Sequence, residues 1–156
     1  MKKRTAIICD MDGTLVNVSS IRHYVREALL PDGSYSKKNF DSFHKASLFC
    51  PAIWSTVDLV EEFWANSKFD ILIVTARGEP YRRTTRDWLH KYSICYTQLF
   101  MRPEGDYRPD VEVKSDILDE IEKKWTVVRA IDDNPSVIAL WESRGIDTIV
   151  VPGWED

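Results

Sequence analysis

The chain has 156 residues, 44% hydrophobic and 29% charged, with a formal net charge of −4. That length fits one compact domain able to bury its own core, and the composition excludes a disordered or fibrous chain. The charge excludes a protein that coats nucleic acid through its net field, but not a locally basic mouth around an anionic substrate.

Residues 5–9 form a short run rich in β-branched side chains and predict a first strand. The stretch 17–49 is the least regular part of the chain. Within it 21–30 reads as a short helix, Pro31-Asp32-Gly33-Ser34 has turn composition, and 39–48 shows no clear period. It is expected to be an insertion over the sheet edge or the site, forming a small cap or none. Ile53, Val57, Val60 and Trp64 then share one helical face, and 69–74 predicts a second strand. Gly78-Glu79-Pro80 signals the start of a helix whose apolar face carries Tyr81, Trp88, Leu89 and Tyr92. A third strand is predicted at 96–101, then a helix capped by Ser115 that presents Ile117, Leu118 and Ile121. The run 127–131 predicts a fourth strand. Pro135 opens a helix with Val137, Leu140 and Trp141 on one face and Gly145 at its end, and 148–151 predicts a fifth strand.

Alternation of this kind implies right-handed βαβ units and a single α/β domain over 1–156, a three-layer doubly wound parallel sheet. Catalytic residues should then lie beyond the carboxyl ends of the strands. The apolar stretch after Met1-Lys2-Lys3-Arg4 ends at Asp10, too short for a signal-peptide core. No run approaches the roughly 18 residues of a membrane span. Cys9, Cys50 and Cys95 contain no CxxC pair and fit a reducing compartment. No membrane association is expected, and the expected location is cytoplasmic.

Four clusters follow or border the predicted strands. Asp10-Met11-Asp12-Gly13-Thr14 sets two carboxylates at i and i+2 around a sharp glycine turn. Their repulsion is costly without a cation, and a hard dication such as Mg2+ prefers such oxygens. One carboxylate can attack phosphorus while the other handles the leaving group's proton. Thr75, before Ala76 and Arg77, offers a hydroxyl to a phosphate oxygen; alone, such a threonine is more often a helix cap. Lys114, beside the predicted helix start, opposes the helix dipole, so local stability does not explain it. Asp132-Asp133-Asn134-Pro135 could complete a metal site, or merely cap the helix opened by Pro135. Only the first cluster is strong alone; together they form one constellation, which requires Asp10, Lys114 and Asp132 to converge within a side chain's reach.

At these residues the chain resembles the haloacid dehalogenase superfamily of phosphotransferases, whose four motifs occur here in order over nearly the whole chain. The resemblance implies that Asp10 is the nucleophile of an aspartyl-phosphate and Asp12 the general acid/base. It implies Mg2+ held by Asp10, the Asp12 carbonyl and Asp132, with Asp133 nearby. Thr75 and Lys114 would grip the phosphoryl group, aided by amides near Asp12 and Gly13. The frame R-x-x-G-D-x-R-x-D-x-x-x-K from Arg102 to Lys114, with Thr75-Ala76-Arg77 and the helix from Tyr81 to Arg86, is similar to the phosphatase half of bacteriophage polynucleotide kinase-phosphatases. That family removes 3′-phosphates from nucleic acid ends and nucleotides. No G-x-x-x-x-G-K-[ST] loop occurs, so no kinase half is expected, and 17–49 does not match that phosphatase closely.

Arg77, Arg102 and Arg108 should surround the mouth, either forked onto a second phosphate or paired with Glu104, Asp106 or Asp110. Arg82, Arg83 and Arg86 should face water, Trp64, Trp88 and Trp141 should pack in the core, and Tyr107 is the candidate for base stacking. His44 could reach substrate from the insertion. The leading expectation is a Mg2+-dependent 3′-phosphatase acting on a phosphorylated nucleotide or nucleic acid 3′ end. A nucleoside 5′-monophosphatase or small-metabolite phosphatase is the alternative enzyme. A catalytically silent nucleic-acid-binding or regulatory protein is the alternative of another class, although a pure binder has no physical need for Asp10 and Asp12 together.

Overall fold

The computed structural model describes residues 2–153. In chain order the elements are β1 (Arg4–Cys9), α1 (Phe40–Ser47), α2 (Trp54–Ala65), β2 (Phe69–Gly78), α3 (Arg82–Lys91), β3 (Gln98–Arg102), α4 (Asp110–Glu122), β4 (Trp125–Asp132), α5 (Pro135–Ser143) and β5 (Asp147–Val150), with short 3-10 turns at Ser19–Tyr24 and Glu79–Tyr81. The strands form one sheet in the order β3-β2-β1-β4-β5. Every neighbouring pair is parallel.

Successive strand residues point to opposite faces, and here both faces are apolar. Ile7, Cys9, Ile71 and Ile73 pack with Val57, Val60, Trp88 and Leu89 of α2 and α3, and with Val18, Ile21 and Phe43 of the insertion. Ala6, Ile8, Leu72 and Val74 pack with Val113, Ile117, Leu118 and Ile121 of α4 and with Val137 and Trp141 of α5. Continuous apolar runs are the signature of strands buried on both sides, and the expected three-layer doubly wound fold is the one found.

The chain winds outward from β1 to β2 and β3, then returns to lay β4 and β5 on the other side of β1. The strand order therefore reverses between β1 and β4, where crevices open in sheets of this type. Cys9 pairs with Ile131, and the Asp10 amide donates to the Ile131 carbonyl at 3.0 Å. That ladder sets Asp10 beside Asp132.

Several boundaries differ from expectation. The predicted helix over 21–30 is reduced to the turn Ser19–Tyr24, because the chain turns back at the Pro31-Asp32-Gly33-Ser34 bend, which an isolated bridge between Leu29 and Tyr35 closes. The stretch 39–48, expected to show no clear period, instead contains α1, whose Asn39 carboxamide accepts from the Ser42 amide at 3.0 Å. The helix expected to start at Ser115 begins five residues earlier; Asp110 and Glu112 lie in its first turn, where acids suit the dipole. Trp88 and Trp141 are fully buried, but Trp64 is 40% exposed. Among the described residues no helix is long and apolar enough to cross a membrane.

Leu118 is fully buried beneath the sheet and Tyr107 is 94% exposed. Urea unfolding should show Leu118→Ala losing about 3 kcal/mol and Tyr107→Ala staying within about 0.5 kcal/mol of the parent. Equal losses would contradict this layering.

Candidate active site

β1 ends at Cys9, and the next residue, Asp10, stands at the carboxyl edge of the sheet. The turn that follows is tight: the amides of Thr14, Leu15 and Val16 all donate to the Met11 carbonyl. Gly13 adopts φ +80°, and a Cβ there would lie 2.1 Å from Asp133 Oδ2. A glycine is therefore required both by its conformation and by the loop after β4 that presses on it. Gly153 closes the same contact from the far end of the chain, since a Cβ there would meet the Gly13 carbonyl oxygen at 1.6 Å.

β4 and its following turn bring Asp132 and Asp133. Asp132 is anchored before any ligand arrives: Oδ1 accepts the amides of Asp133 and Asn134, and Oδ2 accepts the Trp141 indole N–H at 3.3 Å. Asn134 also caps α5 through the Ser136 amide. The metal and capping readings of this cluster thus fall on different residues. The Thr14 hydroxyl stands 3.1 Å from both Asp10 Oδ2 and Asp133 Oδ1 and bridges the two loops. Sequence reasoning had left Thr14 without a role, although its place in the pentapeptide was the available signal.

Lys114 closes the cluster from α4, in whose second turn it lies rather than at a strand end. Its buried Nζ donates to Asp10 Oδ1 at 2.9 Å and to Asp132 Oδ2 at 3.1 Å. Burial disfavours the ammonium, but the charges of Asp10 and Asp132 outweigh it and hold the lysine protonated, well above its ordinary range. Asp10 is pushed well above the usual carboxylate range by burial and by Asp132, against the pull of Lys114. Asp133 is raised as well, chiefly by burial. Asp10, Asp132 and Asp133 each offer one oxygen, all within 4.8 Å of one another. With all three ionised, the carboxylates would exceed the one ammonium by two negative charges in a buried site.

Asp12 faces a different partner. Arg77 Nη2 and Nε donate to Asp12 Oδ1 and Oδ2 at 2.6 and 2.9 Å, and Arg77 Nη1 donates to the Thr85 hydroxyl at 3.1 Å. Burial pushes the Asp12 carboxyl up, but the charge and hydrogen bonds of Arg77 bring it below its ordinary value. Arg77 is 1% exposed. It is thus placed on the second aspartate rather than at the open mouth where the sequence suggested it.

Thr75 is buried within β2, not at its end, and its hydroxyl accepts the Arg77 amide at 3.2 Å. The Ala76 carbonyl accepts Arg102 Nε at 2.9 Å. Arg102 also donates to the carbonyls of Asp106 and Arg108 and to Asp110, while Arg108 pairs with Asp106 and Asp116. Both are engaged as ties of the β3–α4 loop, the ion-pair alternative to phosphate binding. The Gly13 amide is engaged by the Val16 carbonyl, so it is not free for phosphate as expected. The amides of Met11 and Asp12 make no hydrogen bond among the described residues.

His44 projects from α1 of the insertion. Its ring lies 4.5 Å from the Tyr81 ring and 5.4 Å from that of Phe43, and Tyr81 in turn donates to Asp41 at 2.7 Å. The buried Nδ1 has no hydrogen-bond partner. Burial brings the imidazole down to about 4, with Asp12 opposing the shift and Arg77 adding to it.

A model of the polynucleotide kinase PNKP phosphatase domain matches residues 4–153 of this chain. A protein of Autographa californica nuclear polyhedrosis virus bearing the name bifunctional polynucleotide kinase/RNA ligase is 27% identical over 147 residues, which are 92% of this chain and 19% of that protein. A chain of the Pnkp1/Rnl/Hen1 RNA repair complex superposes with a TM-score of 0.77 at 24% identity, over 96% of this chain and 42% of that one. The class C acid phosphatase from Bacillus anthracis, solved with tungstate bound, gives 0.71 at 15% identity over 98% and 68%. At these identities the structural likeness concerns the fold alone. The chain spans about a fifth of the viral relative and less than half of the repair-complex chain.

The depressed His44 value gives a pH test. Its folded-state value lies below the unfolded 6.5, so the unfolded chain binds the extra proton and stability falls as pH drops from that value towards 4. Between about pH 7 and about pH 4.5 the parent should lose about 2 kcal/mol more than His44→Gln in urea unfolding. Equal losses would mean that the imidazole is not held neutral by the fold.

Proposed function

Since the chain belongs to the family of the polynucleotide kinase PNKP phosphatase domain, and is a phosphatase of the haloacid dehalogenase superfamily, we propose that it hydrolyses 3′-phosphomonoesters of nucleotides or nucleic acid ends through an aspartyl-phosphate on Asp10, with Mg2+ as cofactor. The observation that carries the reading is the buried Asp10 carboxylate, with Lys114 on one oxygen, Thr14 on the other, and Asp132 and Asp133 alongside. The 3′ preference is supported by the family match over nearly the whole chain and by the names of the viral relative and the repair complex.

The donor set fits the metal. Leaving two negative charges in a buried site costs several kcal/mol per ion, and a hard, oxygen-binding dication neutralises them. Asp10, Asp132 and Asp133 would hold it, together with the Asp12 carbonyl. Bound there, it would draw charge from the oxygens of the transferring phosphoryl group.

In the first displacement an Asp10 oxygen forms a bond to phosphorus as the bond to the leaving oxygen breaks, and Asp12 gives that oxygen its proton. In the second, water attacks the acyl phosphate while the Asp12 carboxylate takes the water's proton, which releases phosphate and restores Asp10. Lys114 and the amides of Met11 and Asp12 supply donors for the phosphoryl oxygens, and Thr75 stands one strand away. Preorganised donors of this kind are usually the largest catalytic contribution.

Arg77 serves both aspects of this cycle. It holds Asp12 ionised, the form that the second step uses. A phosphate oxygen is the competing acceptor that would draw it away and let Asp12 carry a proton.

Turnover of a 3′-phosphorylated oligonucleotide, 3′- and 5′-mononucleotides and phenyl phosphate, with Mg2+ and with chelator, tests each part. Asp10→Asn should lower kcat by at least about 10³-fold while the variant keeps the folded circular-dichroism spectrum of the parent. Chelator should abolish turnover and added Mg2+ restore it. Equal rates on 3′- and 5′-mononucleotides would remove the regiochemistry, and full activity of Asp10→Asn would remove the nucleophile.

A further inference from the structure

Behind the carboxylate of Asp12 lie two side chains, each more deeply buried than the one before it. The Asp12 side chain is 23% exposed and that of Arg77 only 1%, and Thr85 beyond them is wholly buried. The short connection between β2 and α3 supplies both inner members, because Arg77 stands near the end of β2 and Thr85 in the first turn of α3.

The donors in this stack have fixed directions. A threonine hydroxyl has one proton to give and accepts on its lone pairs. Thr85 gives its proton to the Tyr81 carbonyl at 2.9 Å, the back-bond open to a threonine in a helix. Its oxygen is then left to accept, and Arg77 Nη1 donates to it at 3.1 Å. The opposite edge of the same guanidinium, Nε and Nη2, is forked onto Asp12 at 2.9 and 2.6 Å. Tyr81 is held in turn, since its hydroxyl donates to Asp41 and its ring packs against His44 in the insertion. A rigid plane held along both edges can neither slide across the carboxylate nor turn away from it. Without the Thr85 hydroxyl only the Asp12 edge of the guanidinium stays held, and Nη1 becomes a buried donor that has lost its acceptor.

We propose that Thr85 is a positioning residue of the phosphatase cycle: by holding Arg77 Nη1 it fixes the plane of the guanidinium, and so the direction in which the Asp12 carboxylate faces the water of the second displacement. In that step the water oxygen bonds to phosphorus, the bond from phosphorus to the Asp10 oxygen breaks, and the water's proton passes to Asp12. Thr85 touches none of the reacting atoms. The proposal rests on the phosphatase reading with Asp10 and Asp12 in those roles, and does not depend on the 3′ preference.

The test compares the full chain with Thr85→Val, which replaces the hydroxyl by a methyl group, and Thr85→Ser, which keeps it. The leaving group of para-nitrophenyl phosphate departs without a proton, so kcat/KM on this ester reports the first displacement and turnover after the initial burst reports the second. Thr85→Val should lower kcat about tenfold, less than the roughly 10²–10⁴ that a whole general base supplies. KM should fall in proportion, which leaves kcat/KM within about twofold of the parent and the burst near about one nitrophenolate per chain. Thr85→Ser should return kcat to within about threefold of the parent. In an Arg77→Lys background, which has no fork, Thr85→Val should change kcat by less than about twofold. An unchanged kcat in Thr85→Val would overturn the proposal. So would a loss of kcat/KM or of burst amplitude in step with kcat, the mark of a merely structural role, or a failure of serine to restore the rate.

A second readout needs no turnover. By NMR of isotope-labelled protein, the Arg77 Nε–H should exchange with solvent at least about tenfold faster in Thr85→Val than in the parent or Thr85→Ser. Equal exchange would overturn the hold on Arg77. If the parent hydrolyses no phosphomonoester, the phosphatase reading fails, and this signal still decides whether Thr85 holds the guanidinium.

Discussion

The interaction on which the rest of the structure depends is the buried ammonium of Lys114 between Asp10 and Asp132. Parallel pairing of β1 with β4 drives two carboxylates together at the strand ends, and Gly13 lets Asp133 approach as a third. Such crowding is unfavourable in a site closed to water. One lysine, delivered by a helix on the opposite face from α2 and α3, makes it tolerable without making it neutral. Burial and the charge of Asp132 push the Asp10 carboxyl well above the usual carboxylate range despite the neighbouring ammonium.

The positive charges of the molecule divide by depth. Lys114 and Arg77 are buried and each is dedicated to an aspartate of the site. Arg102 and Arg108 brace the loop between β3 and α4, through the Ala76 carbonyl and the acids Asp106, Asp110 and Asp116. That bracing links the loop to β2 next to Thr75, so the arginine motif shapes the site indirectly. Arg83 and Arg86 on α3 are exposed and make no ion pair or hydrogen bond among the described residues. Sorting arginines by partner rather than by distance along the chain thus separates framework from surface.

The insertion belongs to the site as much as to the surface. Val18, Ile21 and Phe43 enter the core beside α2 and α3. The Cys50 carbonyl accepts the Trp88 indole at 2.9 Å, which ties the end of the insertion to the helix that carries the outer arginines. α1 thereby sets His44 against Tyr81, within electrostatic reach of Asp12. A neutral imidazole with an unpartnered nitrogen beside the Asp12 carboxylate is an unusual neighbour, because an unsatisfied buried nitrogen costs about 1–3 kcal/mol.

By itself the sequence determined the sheet and the members of the carboxylate cluster. Apolar runs of four to six residues, broken by helical periodicity, leave few alternatives to strands buried on both faces, and Asp10-Met11-Asp12-Gly13-Thr14 is specific because paired acids at a glycine turn are costly without a function. Both signals are local, carried by residues that are near neighbours in the chain. Only the tertiary structure decided which charge meets which: Arg77 on Asp12 across 65 positions, Lys114 between Asp10 and Asp132, Arg102 on the Ala76 carbonyl. Long cationic side chains can serve a phosphate or a carboxylate equally well, and packing alone selects between them. The helix in 40–47 does carry a period, Phe43 and Ser47 facing inward four residues apart behind the Asn39 cap, but in eight residues it spans only two turns and is easily missed.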